Sequence, residues 1–296
     1  MERSAWLILG AVGVVLTGCA APSPPAGWTA TPVTTIEGLA VPESVAVDPV
    51  SGLVCISNIV AAQEGEGVDR FWADDGTGFI ACRKSAGDED LGRWQESRPE
   101  APLNAPKGLC IHDRSLWVAD NSRIVRYPLS GQGTPERIEV PGAQRLNDAA
   151  TDGRGVCFSD TATGKVYRIV PGGPEVIRAP EGVNGITFWG GKMFAVSWTL
   201  HEVYELDPSG RAEPRPFGLA AQFQNLDGIE VLDDGTFLVS DFAGGRVCTI
   251  SADRRTVRTL IQVQSPADIG LDRRRGLLFV PVFQKDRVTV YRLERK

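Results

Sequence analysis

The sequence predicts an all-β fold, a six-bladed β-propeller of four-stranded blades whose ring is closed by an N-terminal strand. Three observations carry that expectation. A residue at the head of an apolar strand recurs six times, at Glu43, Lys107, Asn147, Asn184, Asp227 and Ala267, with intervals of 64, 40, 37, 43 and 40 residues. Each copy runs into a turn rich in Gly, Asp or Arg and then a second apolar run, at 53–57, 116–119, 156–159, 193–197, 237–240 and 277–280. The 33 Gly and 20 Pro are spread over the whole 296-residue chain, as many short strands joined by turns require. Four strands in roughly 40–45 residues make a blade, and six such units make a ring. A β-sandwich or a pair of small barrels suits the length but leaves six matched copies without a reason.

Taken in chain order, the first segment is an address. Arg3 precedes an apolar run over residues 5–16, the charged start and short hydrophobic stretch of a secretory signal. The run is too short to span a hydrocarbon core of about 30 Å. Leu16, Thr17, Gly18 and Cys19 follow, and this group resembles the lipobox of bacterial lipoproteins. The resemblance implies that residues 1–18 are a lipoprotein signal peptide and that Cys19 becomes the lipidated first residue. The other reading is an ordinary signal with an incidental cysteine. Ala20 and Ala21 replace the Asp that retains many such proteins at the inner membrane, so the resemblance points to the outer membrane, facing the periplasm. Residues 19–32 carry Pro22, Pro24, Pro25 and Pro32 and read as an extended tether. Membrane contact is then through the lipid alone.

The propeller is expected over residues 33–296. The sixth copy stops after its third strand, and residues 33–36 can supply the missing outer strand and hide its edge. The long first interval holds an insertion, with acidic stretches at 64–69 and 87–90, expected as a surface loop. Five cysteines remain besides Cys19. Cys55, Cys110, Cys157 and Cys248 lie in apolar strands, and no Cys-x-x-Cys spacing occurs. They read as small buried hydrophobes rather than a disulfide framework. The net charge of −6 and the lack of a basic stripe argue against a nucleic-acid partner. A monomer acting on a small molecule is expected.

In a propeller the residues that begin the inner strands converge at one mouth of the central channel. Here they include Glu43, Asn147, Asn184 and Asp227, whose oxygens are costly to bury without a partner. Two carboxylates and two amide oxygens match a hard divalent cation, calcium better than zinc. The loops after the second strands reach the same mouth, beginning at Asn58, Asp120, Asp160, Trp198 and Asp241, with His201 close behind. Asp is also common at turns for structural reasons.

At these positions the chain resembles the gluconolactonase/regucalcin-like family of six-bladed propellers, related to the paraoxonases. The likeness covers roughly residues 33–293. It implies metal ligands at Glu43, Asn184 and Asp227, with Arg145, Leu146, Asn147 and Asp148 as the family's Arg-x-Asn-Asp segment. There Arg145 would contact substrate, and Asn147 would bind substrate or metal. The activity implied is metal-dependent hydrolysis of a lactone or related ester, with Asp227 as general base or nucleophile. Asp160 and His201 would line the pocket. The chain departs from the family in two respects. Only Asp160 can stand in for an acidic substrate contact, and Lys107 sits in the ring. Lys107 either offers positive charge to the substrate or pairs with Glu43 or Asp227 and partly replaces the metal. His112 lies at the far end of a channel strand and reads as structural. The competing class is a non-catalytic ligand- or protein-binding propeller at the envelope. The tryptophans form no evident sugar-stacking stripe.

Overall fold

The computed structural model describes residues 27–61, 67, 69–83 and 91–296. Residues 1–26, which hold the expected signal and Cys19, lie outside it, as do 62–66, 68 and 84–90, most of the polar insertion. Six antiparallel four-stranded sheets form the six blades. Their inner strands are Pro42–Val47, Pro106–His112, Leu146–Thr151, Val183–Trp189, Leu226–Val231 and the shorter Gly270–Asp272. The first four-stranded blade therefore begins at Pro42, and the sixth is completed from the N-terminus. Trp28–Ile36 pairs with Arg287–Arg295, from Trp28 opposite Arg295 to Ile36 opposite Val288. This closing strand starts five residues before Val33, so the Pro-rich stretch reaching Pro32 ends inside the sheet rather than as tether.

Burial follows strand position. The second strand Val54–Asn58 is buried throughout, whereas the outer strand Gly92–Glu96 is largely open to solvent. Strands covered on both faces read as continuous apolar runs, which is why the second runs were so visible in the sequence. The core lies between blades. Phe194 of the fourth blade meets Phe237 of the fifth edge to face, with ring centroids 4.9 Å apart, an arrangement that suits the aromatic quadrupole.

One expectation about the cysteines is corrected. Cys55 is joined to Cys82 by a disulfide, with Cα atoms 4.2 Å apart. The two occupy directly opposed positions on the second and third strands of the first blade. Repeat comparison aligns Cys55 with the unbonded Cys157 and gives no hint of a partner 27 residues away across the insertion. Cys110, Cys157 and Cys248 are free and buried, as expected.

The inner strands pack against one another at very close range. A Cβ on Gly108 would lie 2.3 Å from the Asp148 Cα, and one on Gly185 would lie 2.3 Å from the Asp227 carbonyl oxygen. At the equivalent place the first, third and sixth blades carry Ser44, Asp148 and Asp268, whose side chains reach a neighbouring blade. Ser44 Oγ donates to Asp268 Oδ2 at 2.5 Å and accepts from the Leu109 amide at 3.2 Å. Asp148 Oδ2 accepts from the Ile186 amide at 2.6 Å. Small residues on one blade thus admit polar stitches from the next.

Candidate active site

Each mouth residue is positioned by the same local device. In the first five blades the register between inner and second strand shifts over the first residues, between Pro42 and Val45, Pro106 and Leu109, Leu146 and Ala149, Val183 and Ile186, and Leu226 and Ile229. A bulge re-aims side chains and frees backbone groups. It falls on Glu43, Lys107, Asn147, Asn184 and Asp227. In three blades a serine of the second strand accepts from the freed amide: Ser57 from Ser44, Ser159 from Asp148, and Ser240 from Gly228, at 2.7–2.9 Å.

The residue after that serine position holds the loop that enters the inner strand. Asp120 Oδ1 accepts from the Asn104 and Ala105 amides, and Asp241 Oδ1 from Gln224 and Asn225. Asp160 does the same for Gln144 and Arg145, and also accepts from Ala162 and Thr163. Asp160 is fully buried and does not line the cavity. Its carboxylate orders the loop carrying Arg145 instead of reaching a ligand. His201 is likewise absent from the lining. It sits at positive φ, 56°, with Nδ1 buried and without a partner among the described residues.

The remaining expected residues do come together. Glu43, Lys107, Arg145, Asn147, Asn184 and Asp227 line one cavity of about 470 Å³ at the channel mouth. All but Arg145 are buried, Lys107 to 2% exposure. Burial drives the Glu43 carboxyl well above its usual range, against the pull of Lys107. Burial and the Asp268 charge push Asp227 up to about 7, opposed by a hydrogen bond from Asn184 and by Lys107. Burial lowers Lys107 to about 8, opposed by Glu43.

Three oxygens of this set, Glu43 Oε2, Asn147 Oδ1 and Asn184 Oδ1, are buried without a hydrogen-bond partner among the described residues. Lys107 does not satisfy them. Its ammonium donates to the Phe71 carbonyl at 2.7 Å and lies 4.0 Å from the Trp72 ring centroid, and no ion pair joins it to Glu43 or Asp227. Unpaired buried acceptors beside two destabilised carboxylates are what a hard cation would neutralise. Among the described residues no trio of His, Cys, Asp or Glu gathers as a metal nest, so such a cation depends on the two asparagine oxygens.

The insertion contributes to this mouth. The short turn Asp69–Phe71 and Trp72 lie across it, held by Lys107 on Phe71, by Arg145 Nη2 on Asp69 Oδ1 at 2.8 Å, and by Asn121 Nδ2 on the Trp72 carbonyl at 3.2 Å. Its described part is therefore a wall rather than a free surface loop.

Ile59, Phe71, Trp72, Trp198, Phe242 and Phe283 supply the apolar lining. Most of these were not singled out as site residues from sequence. A signal was available: Ile59, Thr161, Trp198, Phe242 and Phe283 each follow directly on a second strand, and all five line the cavity. Asn121, the equivalent residue of the second blade, instead anchors Trp72, which takes its place.

No family model matches the chain, and no curated protein matches it. Solved structures do. A gluconolactonase from Xanthomonas campestris is 15% identical, with 92% of this chain and 99% of that one aligned and a TM-score of 0.66. A luciferin-regenerating enzyme is 13% identical over 90% of this chain and 95% of its own, with a TM-score of 0.65. Virginiamycin B lyase from Staphylococcus aureus, solved with quinupristin, is 15% identical over 90% and 99%, with a TM-score of 0.60. At these identities the likeness is one of fold, and the fold shared with a gluconolactonase and a luciferin-regenerating enzyme is the six-bladed propeller expected from the family resemblance.

Proposed function

We propose that the protein is a divalent-metal-dependent hydrolase of a lactone or related ester. The observation that carries this reading is the set of buried, unpartnered oxygens on Glu43, Asn147 and Asn184 at the base of a cavity that also presents Asp227 and Lys107. Glu43, Asn184 and Asp227, with Asn147, would hold the cation, calcium by their all-oxygen chemistry. Bound there, the cation would supply Lewis acidity toward a carbonyl oxygen. Lys107 keeps two N–H groups beyond the one given to Phe71, and with Arg145 it offers positive charge where an oxyanion develops. Asp227 is the group placed to take a proton from water or to attack as nucleophile. A neighbour named a gluconolactonase supports ring-ester chemistry on this fold.

The same proposal places the chain at the bacterial envelope as an outer-membrane lipoprotein facing the periplasm, anchored through Cys19. The Cys55–Cys82 disulfide supports an oxidising compartment.

The experiment strips metal from the full chain, then measures calcium binding and hydrolysis of a panel of lactones and aryl esters, with Asp227→Asn beside the parent. Calcium-dependent turnover that falls at least about a hundredfold in Asp227→Asn is expected. Absence of both calcium binding and turnover sinks the reading. Calcium binding without turnover of any panel member favours a binding propeller with a structural ion.

A further inference from the structure

The walls of the mouth cavity differ sharply from its base. The base is polar: Glu43, Asn147, Asn184 and Asp227. Above it, Ile59, Phe71, Trp72, Trp198, Phe242 and Phe283 form the sides. Three aromatic contacts tie four of these rings into one arc. Phe71 meets Phe283 at 5.0 Å, Phe283 meets Phe242 at 5.5 Å, and Phe242 meets Trp198 at 5.3 Å between centroids. The first two are edge to face, a preferred geometry that holds each ring in place. The arc joins the first blade's insertion to the fourth, fifth and sixth blades.

Few of the polar groups in the walls are free. Thr161 Oγ1 donates to the Val183 carbonyl at 2.8 Å, and Thr199 Oγ1 to the Glu181 carbonyl at 3.2 Å. Gln284 Oε1 accepts from Gln264 Nε2 at 3.1 Å. The Trp72 face is covered by Lys107 and approached by Arg145, whose guanidinium lies 5.4 Å from the ring centroid. A molecule entering this space therefore meets hydrogen-bonding groups at its inner end and beside Trp72, where Lys107 and Arg145 stand, and hydrocarbon along the flank formed by Phe71, Phe283, Phe242 and Trp198. A polyhydroxylated ring would bury several hydroxyls against that flank without partners, losing the hydrogen bonds they make in water. An apolar body loses nothing of that kind and gains from leaving water.

We infer that the molecule this cavity takes is an ester or lactone with one carbonyl-bearing polar head and an apolar, alkyl or aryl, body, not a sugar lactone. The head would reach the base and the body would lie along the aromatic arc. The inference deepens the proposed function and rests on it for the bond that reacts, while the shape and chemistry of the walls are independent of it.

The test separates binding from turnover. Tryptophan fluorescence of the full chain in EDTA is titrated with δ-decanolactone, phenyl acetate and glucono-δ-lactone, and turnover of the same three is then measured with calcium. At least one apolar ligand is expected to bind at least about tenfold more tightly than glucono-δ-lactone, since removing hydrocarbon contacts in such pockets costs factors of this order. Phe242→Ala should erase most of that preference, and Phe242→Leu should keep it. Should Phe242→Ala not fold, Trp198→Ala serves in its place, with its melting curve as the control. Equal or tighter binding of glucono-δ-lactone overturns the inference, and so does the absence of binding by all three. Better turnover of glucono-δ-lactone than of either apolar ligand overturns it too and leaves the hydrolase reading intact. Apolar preference in binding with no turnover supports the inference about the cavity and sinks the hydrolase reading instead.

Discussion

Gly185→Ala probes how tightly the channel is built. The added Cβ would lie 2.3 Å from the Asp227 carbonyl oxygen and 2.9 Å from the Gly228 Cα. Both atoms belong to the neighbouring blade's backbone, so no flexible side chain can move aside. The oxygen contact is about 1 Å inside ordinary van der Waals range. Overpacking a core costs about 1–3 kcal/mol, and more when backbone must shift. A loss of about 3 kcal/mol or more is therefore expected, a large share of the about 5–15 kcal/mol that domains possess. At about 2–4 °C per kcal/mol for chains near this size, the melting temperature should fall by about 6–12 °C. Gly92→Ala is the control. No atom of the described residues lies within 4 Å of its added Cβ and its φ is outside the left-handed region, so it should be neutral or stabilise by less than about 1 kcal/mol. Because Gly185 follows Asn184 and its added Cβ strikes the Asp227 backbone, the calcium binding proposed above should weaken together with stability. Urea and thermal unfolding of the two variants decide the matter. A Gly185→Ala protein within about 1 kcal/mol of its parent would refute the close inter-blade packing on which the site geometry rests.

Two further outcomes follow from the charges and from the N-terminus. Burial holds Asp120 and Asp268 up at about 6 and Glu230 at about 7. The native state therefore keeps protons that the unfolded chain releases near pH 4, and the stability these groups contribute is full below about 4 and lost as pH rises through 6–7. Carboxylates held low, such as Asp48 and Asp152 with their turn hydrogen bonds, act only at more acidic pH. In EDTA the melting temperature should thus decline from pH 5 to pH 8, with a flatter slope in Asp120→Asn and Glu230→Gln; a steady rise over that interval would contradict the assignment. For the anchor, labelling of growing cells with a radioactive fatty acid should mark the parent chain and not Cys19→Ser, and equal labelling of both would dismiss Cys19 as the lipid site.

The blade architecture was legible because it is written in local signals repeated six times. Apolar second runs such as those at Val54 and Phe237 reflect strands covered on both faces, and the interval between copies reflects the length of chain that four short strands and their turns consume. The mouth residues Glu43, Lys107, Asn147, Asn184 and Asp227 were legible for the same reason, since each stands at one fixed position in its repeat. Asp160 shows the limit. Its place in the repeat brings it near the mouth, yet an Asp at a strand end serves equally to hold loop amides, and only the hydrogen bonds to Gln144 and Arg145 reveal that use.

What one chain segment does to another was decided in three dimensions. The Cys55–Cys82 pairing depends on strand register across an insertion, and register is not stored in either cysteine's neighbourhood. Trp72 enters the site because Asn121 holds its carbonyl, a contact between residues 49 positions apart. Phe71, Phe242 and Phe283 are unremarkable one by one and become a wall only when ring closure brings the first, fifth and sixth blades to the same mouth. The sequence by itself determined the repeat and the polar head of each inner strand, because periodicity and polarity are properties of neighbours in the chain. The tertiary structure decided which of those polar groups line the mouth cavity and which face backbone, because that depends on partners supplied by other blades.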